Sequence, residues 1–205
     1  MTAPPTAKGE ATRQRIMEAA TAEFAQHGIA GARVDRVAAA ARTNKAQLYS
    51  YFGSKDQLFD TVFAASMQHV MDVVPISADD LADWAVRLYD EYLVRPDLIR
   101  LATWARLERR PAGHLMDERI DEPKLAAIAA AQSAGAIDTG DTGDTGGPGG
   151  TQVDPFDVMA MVIAMSMAWS PVSNVYAATA DEPARTHRRR RDFLRDAVRR
   201  AFAPD

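Results

Sequence analysis

Positions 42–55 read RTNKAQLYSYFGSK. The stretch supplies three cations (Arg42, Lys45, Lys55), two phenol hydroxyls (Tyr49, Tyr51), two side-chain amides (Asn44, Gln47) and no acid. Such groups suit phosphate oxygens and base edges: a carboxamide can pair bidentately with adenine, and an ammonium can read guanine or a phosphate. Chemistry for catalysis is not assembled elsewhere. His27, His69, His114 and His187 are scattered, with no HExxH-like pair. The chain has no phosphate loop, no G-x-S-x-G element and no dinucleotide fingerprint. It has no cysteine, which excludes disulfides, thiol catalysis and zinc–thiolate sites. The carboxylate pairs Asp79–Asp80 and Asp121–Glu122 stand at helix starts, where dipole and capping account for them. No catalytic residue, cofactor or metal site is expected.

The 205 residues are 47% apolar and 25% charged, a soluble globular composition long enough for one domain or two small ones. Charge is uneven. The net charge is −4, yet residues 1–60 carry eight Lys/Arg against six Asp/Glu, a weak pointer to nucleic acid at that end. The N-terminal MTAPPTAKGE has no apolar run to act as a signal peptide. The longest apolar stretch, 158–169, is far shorter than a membrane span and contains Ser166. No membrane association and a cytoplasmic location are expected.

Apolar residues recur with helical period nearly everywhere, so the expected fold class is all-α. A first helix over about 10–27 presents Ile16, Ala20 and Phe24 as its inner stripe and stops at Gly28. A short helix over about 34–41 buries Val34, Val37 and Ala38. After a break at Arg42–Thr43, a third helix runs to about Tyr51, capped by Thr43 or Asn44 and ended by Gly53. Ser54, with Gln57 as capping-box partner, opens a fourth helix over about 55–73. Further helices are expected over LADWAVRLYDEYLV with a capping box at Ser77 and Asp80, from Pro96 to Leu107, from Pro123, over FDVMAMVIAMSMAW after Asp154 and Pro155, and from Pro183 to about Phe202. Residues 138–150, DTGDTGDTGGPGG, can build no core and read as a disordered loop.

On a helix over 44–52, Leu48 and Phe52 face inward and Ala46 and Ser50 point furthest outward, flanked by Gln47 and Tyr49, with Lys45 and Tyr51 on the borders. The outermost side chains are thus among the smallest, which suits a helix entering the major groove. Lys55, in the first turn of the next helix, can hold a phosphate together with free backbone N–H groups. Two short helices joined by a tight break form the helix-turn-helix layout. The residues alone leave a generic three-helix cluster with a polar face as the alternative, and with it a non-DNA-binding helical enzyme or scaffold.

Residues 12–59 resemble the N-terminal domain of the tetracycline-repressor (TetR) family, through RQRIMEAATAEFAQHGIAGARVDRVAAAA and NKAQLYSYFGSKDQLF. The LYxYFxSKxxL block is the most specific element. The resemblance implies a three-helix helix-turn-helix DNA-binding domain plus a larger helical ligand-binding and dimerisation domain: a flexible arm over 1–9, the DNA-binding domain over 10–54 and the regulatory domain over 55–205. It implies a ligand-responsive regulator, a repressor released from its operator by a small molecule. Double-stranded DNA with a palindromic operator, an apolar or aromatic effector and a second copy of the chain are the implied partners. Arg33, Thr43, Asn44, Lys45, Ala46, Gln47, Tyr49, Ser50, Tyr51 and Lys55 become the DNA-binding set. The chain departs from the family at Arg42, where glycine is usual, so the expectation is either a left-handed Arg42 or a turn of slightly different geometry.

In the larger domain, Met67, Met71, Trp84, Tyr92, Trp104 and Met159 are candidates to line an effector cavity, though each is more often plain core. Met159, Ile163, Met167, Phe193 and Val198 are candidates for a dimer interface. The arginine run HRRRR, 187–191, is interleaved with acids and reads as a solvated face or as acid-pairing across a dimer rather than as a second DNA contact.

Overall fold

The computed structural model describes residues 7–137 and 153–202, which form helices and turns without a strand. The expected loop 138–150 and residues 1–6 of the expected arm lie outside the described residues. Residues 7–9 are helical rather than part of an arm: the first helix, α1, already begins at Ala7, and Thr12 Oγ1 donates to the Lys8 carbonyl at 3.0 Å.

The chain divides into two compact units. The first runs through His69 and takes in Pro96–Leu115. It holds α1 (Ala7–Gly31), α2 (Val34–Ala40), α3 (Lys45–Phe52), most of α4 (Lys55–Val73) and α6 (Pro96–Glu108). Part of the segment expected to be regulatory, including α6, thus packs with the helix-turn-helix. The core forms where the spacing places it. Ile16, Ala20 and Phe24 are at most 1% exposed and meet Val37, Ala38, Leu48, Leu58, Phe59, Val62, Leu101 and Ala105. Phe24 and Phe59 cross edge to face at 5.2 Å. Burying each such ring stabilises the unit by about 1.5–3 kcal/mol.

Gly28 interrupts α1 with φ 71. A Cβ there would lie 2.5 Å from Glu108 Oε1 and 3.0 Å from the Trp104 ring, so only glycine fits. Arg42 is left-handed, with φ 53, the first of the two outcomes open for this turn. Its geometry has a use. Thr43 N–H reaches the Ala38 carbonyl at 2.9 Å and Arg42 N–H the Ala39 carbonyl at 3.1 Å, the paired closure that satisfies the last carbonyls of a helix.

The second unit holds α5 (Leu81–Val94), α7 (Glu122–Ser133), α8 (Pro155–Ser166) and α9 (Ala184–Phe202). Helix α5 packs on α8 and α9, and α7 on α8. Its core includes Trp84, Leu88, Tyr89, Ile128, Val158, Val162, Leu194 and Val198. Asp80 alone caps α5, accepting from Asp83 N–H at 2.9 Å, while the Ser77 hydroxyl accepts from Arg87 at 2.7 Å instead of capping. Helix α8 stops at Ser166, short of the expected Trp169. The chain turns through Met167–Ser170, and Ala178 N–H closes onto the Trp169 carbonyl at 2.9 Å.

The arginine run of α9 is not wholly solvated. His187 and Arg190 are buried, while Arg188 and Arg189 are exposed. Tyr89 Oη and His187 Nδ1 are hydrogen-bonded at 2.8 Å. Burial raises the Tyr89 hydroxyl pKa, against the lowering effect of Arg190. Arg190 pairs with Glu182 at 3.0 Å and lies over the rings of Trp169 and Tyr176, and Arg191 pairs with Asp90 at 2.7 Å. The helical register that turns Leu194 and Val198 inward also turns His187 and Arg190 inward.

Candidate DNA-binding surface

Helix α3 is short, and its start is fixed by side chains. Asn44 Oδ1 accepts the Gln47 N–H at 2.8 Å, which orients the first turn. Thr43 Oγ1 donates to Gln47 Oε1 at 2.6 Å. That bond holds the carboxamide of Gln47 in one orientation, leaving both amide N–H groups and one oxygen lone pair free. Leu48 and Phe52 anchor the helix at 0% and 7% exposure. Lys45, Ala46, Gln47, Tyr49 and Ser50 are exposed together, and no acid lies between them in sequence. Lys45 faces Asp35 of α2 at 3.4 Å; the pair is solvent-exposed on both sides and holds the ammonium only weakly. Tyr51 is half-buried, its ring tilted against Phe52, so its body belongs to the core border.

Arg33 is exposed just before α2, in extended conformation. Lys55 is half-buried, and its Nζ lies 3.3 Å from the carbonyls of both Ala30 and Ala32. Its ammonium is therefore anchored to the connection between α1 and α2.

One carboxylate missing from the expected set organises this region. Glu23 is 9% exposed, accepts Arg33 N–H at 2.8 Å, and accepts from Arg36 Nε at 2.8 and 3.0 Å. Burial pushes its pKa up, but the Arg36 hydrogen bond, the Arg33 N–H and the charges of Arg36 and His27 together bring it below the ordinary 4.5. The sequence signal was an acid beside Phe24 on the inner stripe, with Arg33 and Arg36 just beyond the turn.

The residues expected around an effector divide between the units. Met67 and Trp104 belong to the first; Met71, Trp84, Tyr92 and Met159 belong to the second. Trp104 is half-buried and donates its indole N–H to the Ala25 carbonyl at 3.3 Å. Trp84, Tyr92 and Met159 are core side chains at 2%, 7% and 4% exposure, and burial raises the Tyr92 hydroxyl pKa far above its ordinary value. A cavity of about 300 Å³ in the second unit is lined instead by Asp79, Asp80, Leu81, Ile137, Val198 and Phe202, among others. Of the expected dimer residues, Met159 and Val198 are corrected: they are 4% and 1% exposed within the chain itself and present almost no surface to a partner. Ile163 and Met167 are half-buried, and Phe193 is 65% exposed. Met161 of α8, at 50% exposure, is an apolar surface residue missing from that set.

The three helices α1–α3, the last of them short, polar on its outer face and set beyond a tight turn, define a helix-turn-helix protein. Residues 16–62 match the family described as bacterial regulatory proteins, tetR family, and residues 80–200 match the tetracyclin repressor-like C-terminal domain. The chain belongs to the TetR family of transcriptional regulators, whose members bind operator DNA, form dimers and bind small-molecule effectors. It is a DNA-binding regulator, not an enzyme. It is 44% identical over 131 residues to the HTH-type transcriptional repressor SCO4008 of Streptomyces coelicolor, covering 62% of this chain and 68% of that one. The HTH-type transcriptional repressor NicS of Pseudomonas putida is 26% identical over 109 residues, 50% of this chain and 51% of that one. Among solved structures, SCO4942 of Streptomyces coelicolor superposes with a TM-score of 0.75 at 37% identity, over 94% of this chain and 99% of that one. No described helix is long and apolar enough to cross a membrane.

Proposed function

We propose that this regulator is a repressor that binds a palindromic operator as a homodimer in the bacterial cytoplasm and leaves it when an apolar or aromatic small molecule binds the second unit. The observation carrying this reading is the outer face of α3, where Ala46 and Ser50 project least and Gln47 is held by Thr43. Gln47 reads a base, and Lys45 a base or a phosphate. Tyr49, Tyr51, Arg33 and Lys55 hold backbone phosphates, and Thr43 and Asn44 set the register. Two such helices on a two-fold axis enter successive major grooves about 34–36 Å apart. The repressor sign is supported by the likeness to SCO4008. The effector reading is supported by the aromatic and methionine content of the second unit, where the buried Trp84 Nε1 has no hydrogen-bond partner and is available to an acceptor.

The test is a gel shift with DNA flanking the protein's own gene, followed by footprinting and a thermal-shift screen of small apolar compounds for release. A two-fold symmetric footprint that Gln47→Ala relaxes at one base pair in each half-site supports the reading. An unchanged base preference in that variant removes Gln47 from the base-reading set.

A further inference from the structure

The Lys55 ammonium is held by a turn that is itself held from outside the helix-turn-helix. Gly28 leaves helical geometry, which frees the N–H groups that follow it. The carboxylate of Glu108, the last residue of α6, takes two of them: Ile29 N–H donates to Oε1 at 3.2 Å and Ala30 N–H to Oε2 at 2.7 Å. One oxygen serves each donor, as a carboxylate does at the start of a helix. On the opposite side of the turn, the Ala30 and Ala32 carbonyls each accept from Lys55 Nζ at 3.3 Å. Ala30 is the shared link, its N–H on Glu108 and its C=O on Lys55. An ammonium has three N–H donors, so two tie Lys55 to the turn and one remains for an oxyanion.

We propose that Glu108 is a positioning residue for DNA binding: by holding the Ile29 and Ala30 N–H groups, it fixes the carbonyls that aim the Lys55 ammonium at a DNA phosphate. The proposal rests on the reading of Lys55 as a phosphate contact. The end of α6 stays docked without Glu108, because other bonds hold it. Trp104 reaches the Ala25 carbonyl, and Arg109 spans Asp56 and Asp60 of α4 while lying 4.8 Å over the Phe59 ring. Substitutions at Glu108 therefore loosen the turn and leave the helix in place. Glutamine retains one of the two acceptor oxygens and alanine neither.

The test measures binding of the full-length protein to a random-sequence DNA duplex across a range of salt concentrations. The variants are Glu108→Ala, Glu108→Gln, Lys55→Ala and the double variant Glu108→Ala/Lys55→Ala, each with its thermal midpoint. Glu108→Ala is expected to weaken binding by nearly the factor seen for Lys55→Ala and to lower the log–log salt slope by about one, as loss of a single phosphate contact does. Glu108→Gln should fall between wild type and Glu108→Ala, and the double variant should bind like Lys55→Ala alone. Multiplying losses in the double variant overturn the proposal, as does a lowered thermal midpoint with an unchanged salt slope. Tighter binding in both Glu108 variants also overturns it, since that is the signature of a removed negative charge acting at range. If Lys55→Ala binds like wild type, the phosphate contact itself falls and the proposal with it. If Lys55→Ala is weakened and Glu108→Ala is not, only the proposal falls.

Discussion

Each unit sets a carboxylate against an arginine, and the two placements differ. In the first unit, Glu23 is buried while its partner Arg36 remains 42% exposed, and the same carboxylate accepts the Arg33 N–H. The pair fastens the start of α2 from below and leaves the face of α3 to solvent. In the second unit it is the arginine that is buried. Arg190 is 8% exposed, paired with Glu182 and covered by Trp169 and Tyr176. Composition alone suggests the opposite, since the arginine run 187–191 is the denser basic patch. Burial thins that patch: the Arg190 guanidinium is turned inward and cannot meet a phosphate, while Arg188 and Arg189 stay exposed and the α3 donors stand together on a small-residue face.

The largest effect expected from breaking this contrast is at Arg190. Arg190→Ala removes the ion pair and two ring contacts from a buried site and should cost about 2–3 kcal/mol in thermal or denaturant unfolding. The folded variant should bind DNA with an unchanged salt slope; a lower slope at wild-type stability would return the arginine run to the DNA surface. Glu23→Gln should cost less, about 1–2 kcal/mol, because Arg36 can turn to water and an amide oxygen still accepts one hydrogen bond. The same group contributes to acid sensitivity. The folded-state pKa of Glu23 lies below its ordinary 4.5, so its stabilisation is complete above that value and is lost as pH falls through the lowered one. Unfolding curves recorded downward from pH about 5 should steepen in wild type and flatten in Glu23→Gln. Equal acid profiles would show that the carboxylate is not stabilised by its arginine. The smallest effect is at Arg42. Arg42→Gly relieves a left-handed side chain at the cost of a freer unfolded chain, for a net gain of about 0.5 kcal/mol, read as a small rise in thermal midpoint. A drop would show that the arginine side chain contributes more than its backbone costs.

The two units also differed in how far they could be read from sequence. The inward set Ile16, Ala20, Phe24, Val37, Leu48 and Phe52 and the outward Ala46 and Ser50 follow from local rules, a 3.6-residue period and a cap, whereas the left-handed Arg42 was one of two outcomes that the family resemblance left open. Glu23 and Glu108 were missed because each carboxylate meets backbone amides that the chain brings close only on folding. Glu108 lies far from Ala30 in sequence, and no spacing rule joins them. In the second unit, α8 is apolar on most sides, and the one apolar stripe of α9 through Leu194 and Val198 could serve a core or an interface equally, so periodicity could not say which face was taken internally. Met159 and Val198 consequently went to the core rather than to an interface, and the cavity formed where no aromatic had drawn attention.

The account depends most on the outer face of α3 and is tested most directly by adding bulk there without charge. Ala46 is exposed, and leucine is tolerated in a helix, so Ala46→Leu should leave the thermal midpoint unchanged. Titration of the variant against the footprinted operator should show affinity reduced by about tenfold or more, as expected when a side chain holds the recognition helix away from base edges. Operator affinity equal to that of wild type, with stability also unchanged, would contradict the assignment of α3 as the DNA-reading surface.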